Sequence, residues 1–411
     1  MTKAPTTGVR ALLAVSGFRN LWLGQLVSQV GDGVANFTLL ILINQLTGST
    51  TAVATMALAL SVPQLVFGLV SGVLVDRGDR KRIMIQADLL RAVLVLGFLL
   101  VRRREDVWVF YAVGFVHASV GTLFDPAKAA LLPALVSGPQ LLAANSLSQT
   151  SGFAARVVGA GIAGVMVGFA RTGWPAFCLD AITFLLSAAF VARISAPPRA
   201  GVGAGNGVRA TARQLLDGLR LVARERMLVA LMVVLAATSL ALGADSVLAI
   251  PFLVNVLDVR TEALGLARAV EVIGMVLGAG LVTGLSGRLE PGRLMVAGVI
   301  GIGVLIALTG AAPSFAFALL ATFAIGVCAS PVEAAVATLT QTLVPDAMRG
   351  RTNSAMNTAF TAATVAAMAV AGTLGDAVGV RRVFYVVGAI TVLAGIGAAW
   401  LVTKAPSRQA P

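Results

Sequence analysis

"SGVLVDRGDRKRIM", residues 71–84, is the stretch of this sequence that decides the fold. Six of the seven residues from Asp76 to Arg82 are charged, and Gly78 is the exception. A long apolar stretch stands on each side of this short segment. Because about 20 apolar residues are enough to cross a bilayer as a helix, the segment predicts a tight ionic turn between two membrane-spanning helices.

The composition of the whole chain is that of a membrane protein. Of its 411 residues, 58% are hydrophobic and 12% are charged, and the mean hydropathy is +0.91. Soluble domains carry about 25% charged residues. The net charge of +13 does not indicate nucleic-acid binding, because the basic residues lie in short loops between apolar stretches. Cys178 and Cys328 lie inside apolar stretches, which argues against a disulfide framework and against metal-ligand spacing.

Twelve apolar stretches predict an all-α integral membrane protein. We expect its spans near residues 18–45, 52–75, 83–101, 107–127, 142–169, 173–193, 227–254, 262–286, 294–311, 314–337, 352–375 and 382–402. They give three regions: an N-terminal six-helix bundle (1–193), a cytoplasmic linker (194–226), and a C-terminal six-helix bundle with a short tail (227–411). The linker is expected to contain an amphipathic helix, either on the membrane surface or in the cytosol.

Basic residues set the expected orientation of the chain. An even number of spans puts both termini on one side of the membrane. With the termini in the cytoplasm, most of the 31 Lys and Arg residues lie on the cytoplasmic side, and "VRRRED" (101–106) is the main exception. Cytoplasmic loops are enriched in Lys and Arg. We therefore expect a multi-pass protein of the bacterial cytoplasmic (inner) membrane with both termini inside.

The two halves of the sequence resemble each other. Asp32 corresponds to Asp245, Asp125 corresponds to Glu333, and "LVDR" (74–77) corresponds to "LSGR" (285–288). The members of each pair are separated by about half of the chain. Internal duplication is a common design among transporters, so we expect two pseudo-symmetric six-helix bundles.

The ionic turn also carries a family resemblance. The pattern Gly72-x-Leu74-x-Asp76-Arg77-x-x-Arg80-Lys81 resembles the signature between the second and third helices of the major facilitator superfamily. "FRNLWLGQLVSQVGDG" (18–33), "DLLRA" (88–92) and "VPDAMRGRTNS" (344–354) are similar to its macrolide-efflux and siderophore-exporter branch. The fifth span departs from the drug/proton antiporter groups because "RVVGAGIAGVMVG" (156–168) lacks their Gly-Pro pair. The resemblance implies the major facilitator fold.

The same resemblance implies a cytoplasmic gate in which Arg80 bridges Asp76 and Asp125. Gly72 would let another helix approach closely, and Asp76 would meet the start of the eleventh span, near Asn353. The expected gate residues are Gly72, Asp76, Arg77, Arg80, Asp125, Arg288 and Glu333. The alternative is that these charges only fix the topology, as we expect for Lys81 and Arg82.

Ionisable residues inside a span are costly, so each needs a reason. The candidates for proton coupling are Asp32, Asp245 and Glu271, and the candidates for the substrate cavity are Gln25, Gln29, Asn36, Arg156 and Arg268. Alternatives remain open: Asp32 has a structural hydrogen-bonding role, or Arg268 and Glu271 form a mutual salt bridge. Arg156 either binds an anionic substrate group or neutralises Asp32.

Other residues of the spans are expected to be structural. They are Asp88 and Arg91, which are spaced for mutual pairing, Asp180, and His117, for which a proton shuttle is the alternative. "GAGIAG" (159–164) fits the dinucleotide pattern G-x-G-x-x-G, but it lies inside a span with no preceding strand. Its glycines are expected to let helices pack closely.

The resemblance implies a secondary active transporter that exports an amphipathic organic molecule, such as a macrolide-like drug or a siderophore, as a proton antiporter. We find no motif for nucleotide hydrolysis, for enzyme catalysis, for a cofactor or for a metal, so we expect none of these. The expected partners are a small-molecule substrate, protons and the lipid bilayer, with no nucleic acid, and the protein is expected to be a monomer. The alternatives are a lipid or lysophospholipid flippase and a non-transporting membrane sensor or scaffold.

Overall fold

The structure is a computed structural model that describes residues 9–170, 172–195, 225–285, 290–344 and 346–404. Two expectations lie outside these residues: the amphipathic helix of the linker and the role of Arg288.

The described residues are almost entirely helical, as the hydropathy of the sequence predicts. The helices are α1 Val9–Ala14, α2 Ser16–Thr47, α3 Thr50–Arg77, α4 Arg80–Leu96, α5 Val107–Gly121, α6 Phe124–Leu131, α7 Gly138–Ala170, α8 Trp174–Ala192, α9 Arg226–Pro251, α10 Leu264–Leu285, α11 Pro291–Ala311, α12 Phe315–Leu343, α13 Asp346–Val378 and α14 Val380–Thr403. A π-helical turn, Phe252–Val256, extends α9.

Twelve helical stretches within the described residues are long and apolar enough to cross a membrane. One of them, Arg104–Ala134, combines α5 and α6. Large apolar side chains such as Val93, Phe169 and Leu320 are exposed on the outside of the helices, which is favourable only against lipid. The prediction of twelve spans is therefore confirmed. The predicted start of the eleventh span, residue 352, agrees with the span Thr352–Val378, and the helix α13 itself begins earlier, at Asp346.

The chain divides into two compact units. The first contains the N-terminal half without Gly48–Leu58, but with Arg260–Gly265. The second contains Gly48–Leu58 and the remainder of the C-terminal half. Gly48–Leu58, at the start of α3, and Arg260–Gly265, at the start of α10, thus each belong to the unit formed mainly by the other half of the sequence. The predicted regions 1–193, 194–226 and 227–411 stay a prediction.

Glycines let α2 and α7 pack backbone to backbone in the first unit. A Cβ atom at Gly159 would meet the carbonyl oxygen of Val30 and the Cα atom of Gly33, and one at Gly33 would meet the carbonyl oxygen of Arg156. A Cβ atom at Gly164 would meet the backbone of Gly265. The "GAGIAG" stretch is therefore a helix-packing motif, as expected, and it fixes the rotation of α2 and α7 around the site described below.

The ionic turn ends one helix and starts the next. α3 ends at Arg77, whose positive charge suits a helix C-terminus. Asp79 is the N-cap of α4, where its side chain accepts a hydrogen bond from the backbone N–H of Arg82 at 3.2 Å. A capping carboxylate satisfies a free N–H group and opposes the helix dipole. Lys81 Nζ donates to the carbonyl oxygen of Ile194 at 2.8 Å, which ties the turn to the end of α8.

Candidate functional site

A cavity of about 520 Å³ opens among the helices of the first unit. Its walls are unusually polar for a membrane-spanning bundle. The residues that line it are Gln25, Ser28, Gln29, Asp32, Asn36, Leu60, Arg91, His117, Ala118, Gly121, Phe124, Asp125, Lys128, Ser148, Gln149, Gly152 and Arg156. The structure thus brings together the four cavity candidates of this half and Asp32. The polar residues of α2 recur at helical spacing, which places them on one face.

An ion pair between α2 and α4 lies in the wall of this cavity. Arg91 NH2 is 2.5 Å from Asp32 Oδ1, and the two side chains are 12% and 16% exposed. The Arg91 guanidinium also stacks 4.2 Å from the centre of the Phe184 ring. Arg156 donates to Gln29 Oε1 at 3.4 Å, and its expected role, to neutralise Asp32 or to bind substrate, stays a prediction. The cation beside Asp32 is therefore Arg91, and the expected mutual pairing of Arg91 with Asp88 is not its main contact.

Behind the ion pair, α5 and α8 add further titratable groups. Asp180 and His117 are buried, and one ligand atom from each lies within 4.8 Å of an Asp32 oxygen and of each other. Gly31 permits this approach, since a Cβ atom there would collide with Asp180 and Thr183. Asp180 Oδ1 accepts a hydrogen bond from Thr183 Oγ1 at 3.2 Å. Residues that were expected to be structural therefore continue the Asp32 site into the protein interior.

The second unit has its own partly buried ionic group, formed by α9 and α10. Arg268 NH1 lies 2.9 Å from Glu271 Oε2 and 3.2 Å from Asp245 Oδ2. The mutual pair of Arg268 with Glu271 is present, and Asp245 joins it. One guanidinium thus holds two carboxylates, so a proton on one acid leaves the other acid paired.

Sequence reasoning missed one carboxylate of the second unit, Asp376, near the end of α13. It accepts hydrogen bonds from Ser49 Oγ at 2.5 Å, from the backbone N–H groups of Thr50 and Thr51 at 2.8 and 3.0 Å, and from Thr50 Oγ1 at 2.7 Å. Asp376 therefore caps the first turn of α3 from a different helix. The consecutive residues Ser49, Thr50 and Thr51 predict the start of a helix. They do not predict that the hydrogen-bond acceptor is Asp376, which is distant in sequence.

The residues of the expected gate make other contacts in this structure. Arg80 donates to the carbonyl oxygen of Ala130 at 2.8 Å, and Asp125 pairs with Lys128 at 3.1 Å. Arg77 and Glu333 are exposed. Among the described residues, no atom lies within 4 Å of a Cβ built at Gly72, and its expected role in a close helix approach stays a prediction. The side chain of Asp76 lies outside the described part of the chain.

Comparison with known proteins identifies the family to which this architecture belongs. Residues 7–410 match the family described as transmembrane secretion effector. The chain belongs to this family of major facilitator transporters. The transporter is 29% identical over 390 residues to the multidrug efflux pump Tap of Mycolicibacterium fortuitum, covering 92% of this chain and 93% of the relative. It is 37% identical over 136 residues to macrolide efflux protein A of Streptococcus pyogenes, covering 32% and 33% of the two chains.

A solved structure supports the same fold. The transporter superposes on the crystal structure of a bacterial homologue of the iron transporter ferroportin in an inward-facing state with a TM-score of 0.76. The sequence identity is 17%, and the match covers 96% of this chain and 100% of that chain. The expected major facilitator fold is thereby confirmed, and the transporter is a multi-pass membrane protein of the secretion and efflux type.

Proposed function

We propose that the transporter is a secondary active exporter of an amphipathic organic molecule, driven by inward proton flow as an antiporter. The observation that carries this proposal is the polar cavity of about 520 Å³ with the Asp32–Arg91 ion pair in its wall. Pockets for drug-sized molecules span roughly 300–1,000 Å³, so the volume of this cavity fits such a molecule, and its polar walls would bind the polar groups of an amphipathic one. The efflux relatives support a macrolide-like compound as the substrate, and a siderophore is the second substrate class that we would test.

The ion pair supplies a coupling mechanism. A proton that reaches Asp32 through the cavity neutralises its carboxylate and removes the electrostatic reason for its pairing with Arg91. The freed guanidinium then faces the cavity amides of Gln29 and Gln149 and changes how the cavity holds its substrate. Alternating access requires that proton and substrate favour different conformations. Asp32 therefore acts as the coupling residue, and Arg91 is the residue whose pairing changes when Asp32 is protonated.

The second unit contains further candidates for proton binding. Arg268 pairs with both Asp245 and Glu271, so one proton can bind there without leaving the partly buried guanidinium group unpaired. We propose that these two acids adjust the number of protons carried per cycle, and that Asp32 remains the obligatory site. Arg268 also remains a candidate for contact with an anionic substrate group.

The topology of the proposed exporter follows from its basic loops. Both termini and the ionic turn at residues 71–84 lie in the cytoplasm of a bacterial cell, because most Lys and Arg residues then face inward. A cytoplasmic latch that includes Asp76, Arg80 and Asp125 would form when the cavity closes on that side. The transporter is proposed to work as a monomer, since each chain carries its own cavity.

Reconstituted vesicles with an imposed pH gradient test this proposal with a macrolide and a siderophore as substrates. We expect Asp32→Asn to bind substrate and to exchange it downhill, but not to concentrate it. Asp258→Asn is the matched control, because it removes one carboxylate from an exposed loop position whose φ of 53° suits asparagine. Uphill transport by Asp32→Asn at the wild-type level would remove Asp32 from the mechanism. Movement of a labelled lipid alone would support a flippase, and the absence of any transport would support a sensor or scaffold.

A further inference from the structure

Three side chains from three helices converge behind the cavity wall. Asp32 of α2, His117 of α5 and Asp180 of α8, here called the donor cluster, each place one ligand atom within 4.8 Å of the other two. Ligand atoms lie about 2.1 Å from a bound zinc ion, so two of them are separated by at most about 4.2 Å. A small side-chain rotation would therefore close the donor cluster around one cation.

Two donor atoms of this cluster are buried without a protein partner. Within the described residues, His117 Nε2 and Asp180 Oδ2 have no hydrogen-bond partner. His117 is 4% exposed and Asp180 is 0% exposed. Buried polar atoms are normally satisfied, because leaving them without a partner is costly. An imidazole nitrogen and a carboxylate oxygen in this condition are free to bind a metal.

The charge of the donor cluster also favours a cation. Asp32 and the buried Asp180 contribute two carboxylates, and the guanidinium group of Arg91 pairs with Asp32. An ionised carboxylate is costly to bury unless a cation pairs with it or a metal binds it, and otherwise it stays protonated. A bound metal ion would supply that partner for Asp180, and the neutral imidazole of His117 adds no charge.

A cation can reach these donors from the cavity. Asp32 and His117 both line the cavity, whereas Asp180 stands behind Gly31, where the missing side chain lets it approach α2. The centres of the Phe98 and Phe184 rings lie 6.4 and 5.5 Å from the centre of the His117 ring. The donor cluster is thus open to the cavity through Asp32 and His117, and aromatic rings pack against its imidazole.

We propose that the donor cluster binds one divalent first-row transition-metal cation. A mixed set of one imidazole and two carboxylates suits Mn²⁺, Co²⁺ and Zn²⁺ better than Na⁺ or Ca²⁺, which prefer oxygen ligands alone. Asp32 then has two cationic partners, Arg91 and the metal.

Metal binding is measured on the purified full-length transporter in detergent after treatment with a chelator. We expect equilibrium dialysis against Zn²⁺ to leave one ion per chain, and Co²⁺ to give visible absorption bands of nitrogen- and oxygen-ligated metal. Lowering the pH from 7.5 to 5.5 should release the ion, since protons compete for the ligands. These readouts use the wild-type chain and do not depend on transport.

Substitutions then assign the ligands. His117→Gln and Asp180→Asn each remove a proposed ligand, so each should weaken Zn²⁺ binding by more than the roughly 10- to 100-fold lost when a group that only orients a ligand is mutated. Asp258→Asn and Asp79→Asn remove exposed carboxylates and should leave it unchanged. The proposal is overturned if the wild-type chain retains no ion and gives no Co²⁺ bands. It is also overturned if both cluster variants, eluting as monodisperse protein, bind Zn²⁺ as tightly as the wild type.

Discussion

Replacing Asp376 by alanine should release the first turn of α3. The Asp376 carboxylate accepts hydrogen bonds from the backbone N–H groups of Thr50 and Thr51 and from the hydroxyl group of Ser49. These N–H groups belong to the start of a helix, where no preceding carbonyl group can accept them. Asp376→Ala therefore removes the acceptor, the negative charge at the helix N-terminus and the link between α3 and α13.

The size of the effect follows from the capping contacts. Loss of a capping side chain costs about 0.5–2 kcal/mol, and loss of a negative charge at a helix N-terminus costs about 0.3–1 kcal/mol. Asp376 is exposed, so water replaces part of the lost interaction, and we take about 1.4 kcal/mol for local opening. That value corresponds to a roughly tenfold rise in the opening equilibrium. Asp376→Asn keeps one acceptor oxygen but places an NH2 donor where Oδ2 accepts from Ser49 and Thr51, so it should also raise the opening equilibrium, and by no more than Asp376→Ala does.

Hydrogen–deuterium exchange of the peptide that covers residues 49–55 measures this opening directly. Ser314→Ala is the matched control, because Ser314 caps α12 by accepting the N–H group of Phe317 at 3.4 Å. Its exchange should rise near residues 314–318 and not near 49–55. Wild-type exchange of residues 49–55 in Asp376→Ala would refute the capping role.

Two further predictions concern packing and charge in the first unit. Arg91→Gln leaves the Asp32 carboxylate without its cation, and breaking a buried pair costs about 3 kcal/mol or more. Its melting temperature in detergent should fall well below that of Arg156→Gln, which loses a single long hydrogen bond, and equal melting temperatures would contradict the pairing. Gly159→Ala should lower the yield of monodisperse protein, because overpacking costs about 1–3 kcal/mol. Gly397→Ala, with nothing within 4 Å of the added Cβ, should be neutral or stabilising, and equal yields from both variants would contradict the close packing of α2 and α7.

The spans were predictable because each depends on local composition alone. In α11, Pro291–Ala311, the residues from Leu294 to Leu308 are all apolar, and no long-range contact is needed to recognise such a span. The ionic turn was predictable for a related reason: the capping of α4 by Asp79 is a contact between neighbours in sequence. The polar residues Gln25, Gln29 and Asn36 could be placed on the face of Asp32 because helical spacing fixes which residues share a face.

Spacing within one helix could not identify the partner of Arg91. Asp88 lies three residues before it, at a distance that favours pairing on a helix surface, whereas Asp32 is on α2. The choice depends on how α2 is rotated against α4, α7 and α8. That rotation is set where glycine lets backbones or buried polar groups meet, at Gly31 beside Asp180 and at Gly33 beside α7.

The same limit applies to the donor cluster and to the cap of α3. His117 and Asp180 are isolated polar residues within their spans, so a search for metal-ligand spacing does not detect them; only the fold brings their side chains to Asp32. Asp376 caps a helix that begins 326 positions earlier. In a membrane protein the groups that carry charge are few and far apart in sequence, and each is tolerated only where another helix satisfies it. The chemistry of the site is therefore set by contacts between helices. The sequence alone identifies the residues that could make those contacts, but it does not show which of them pair with each other.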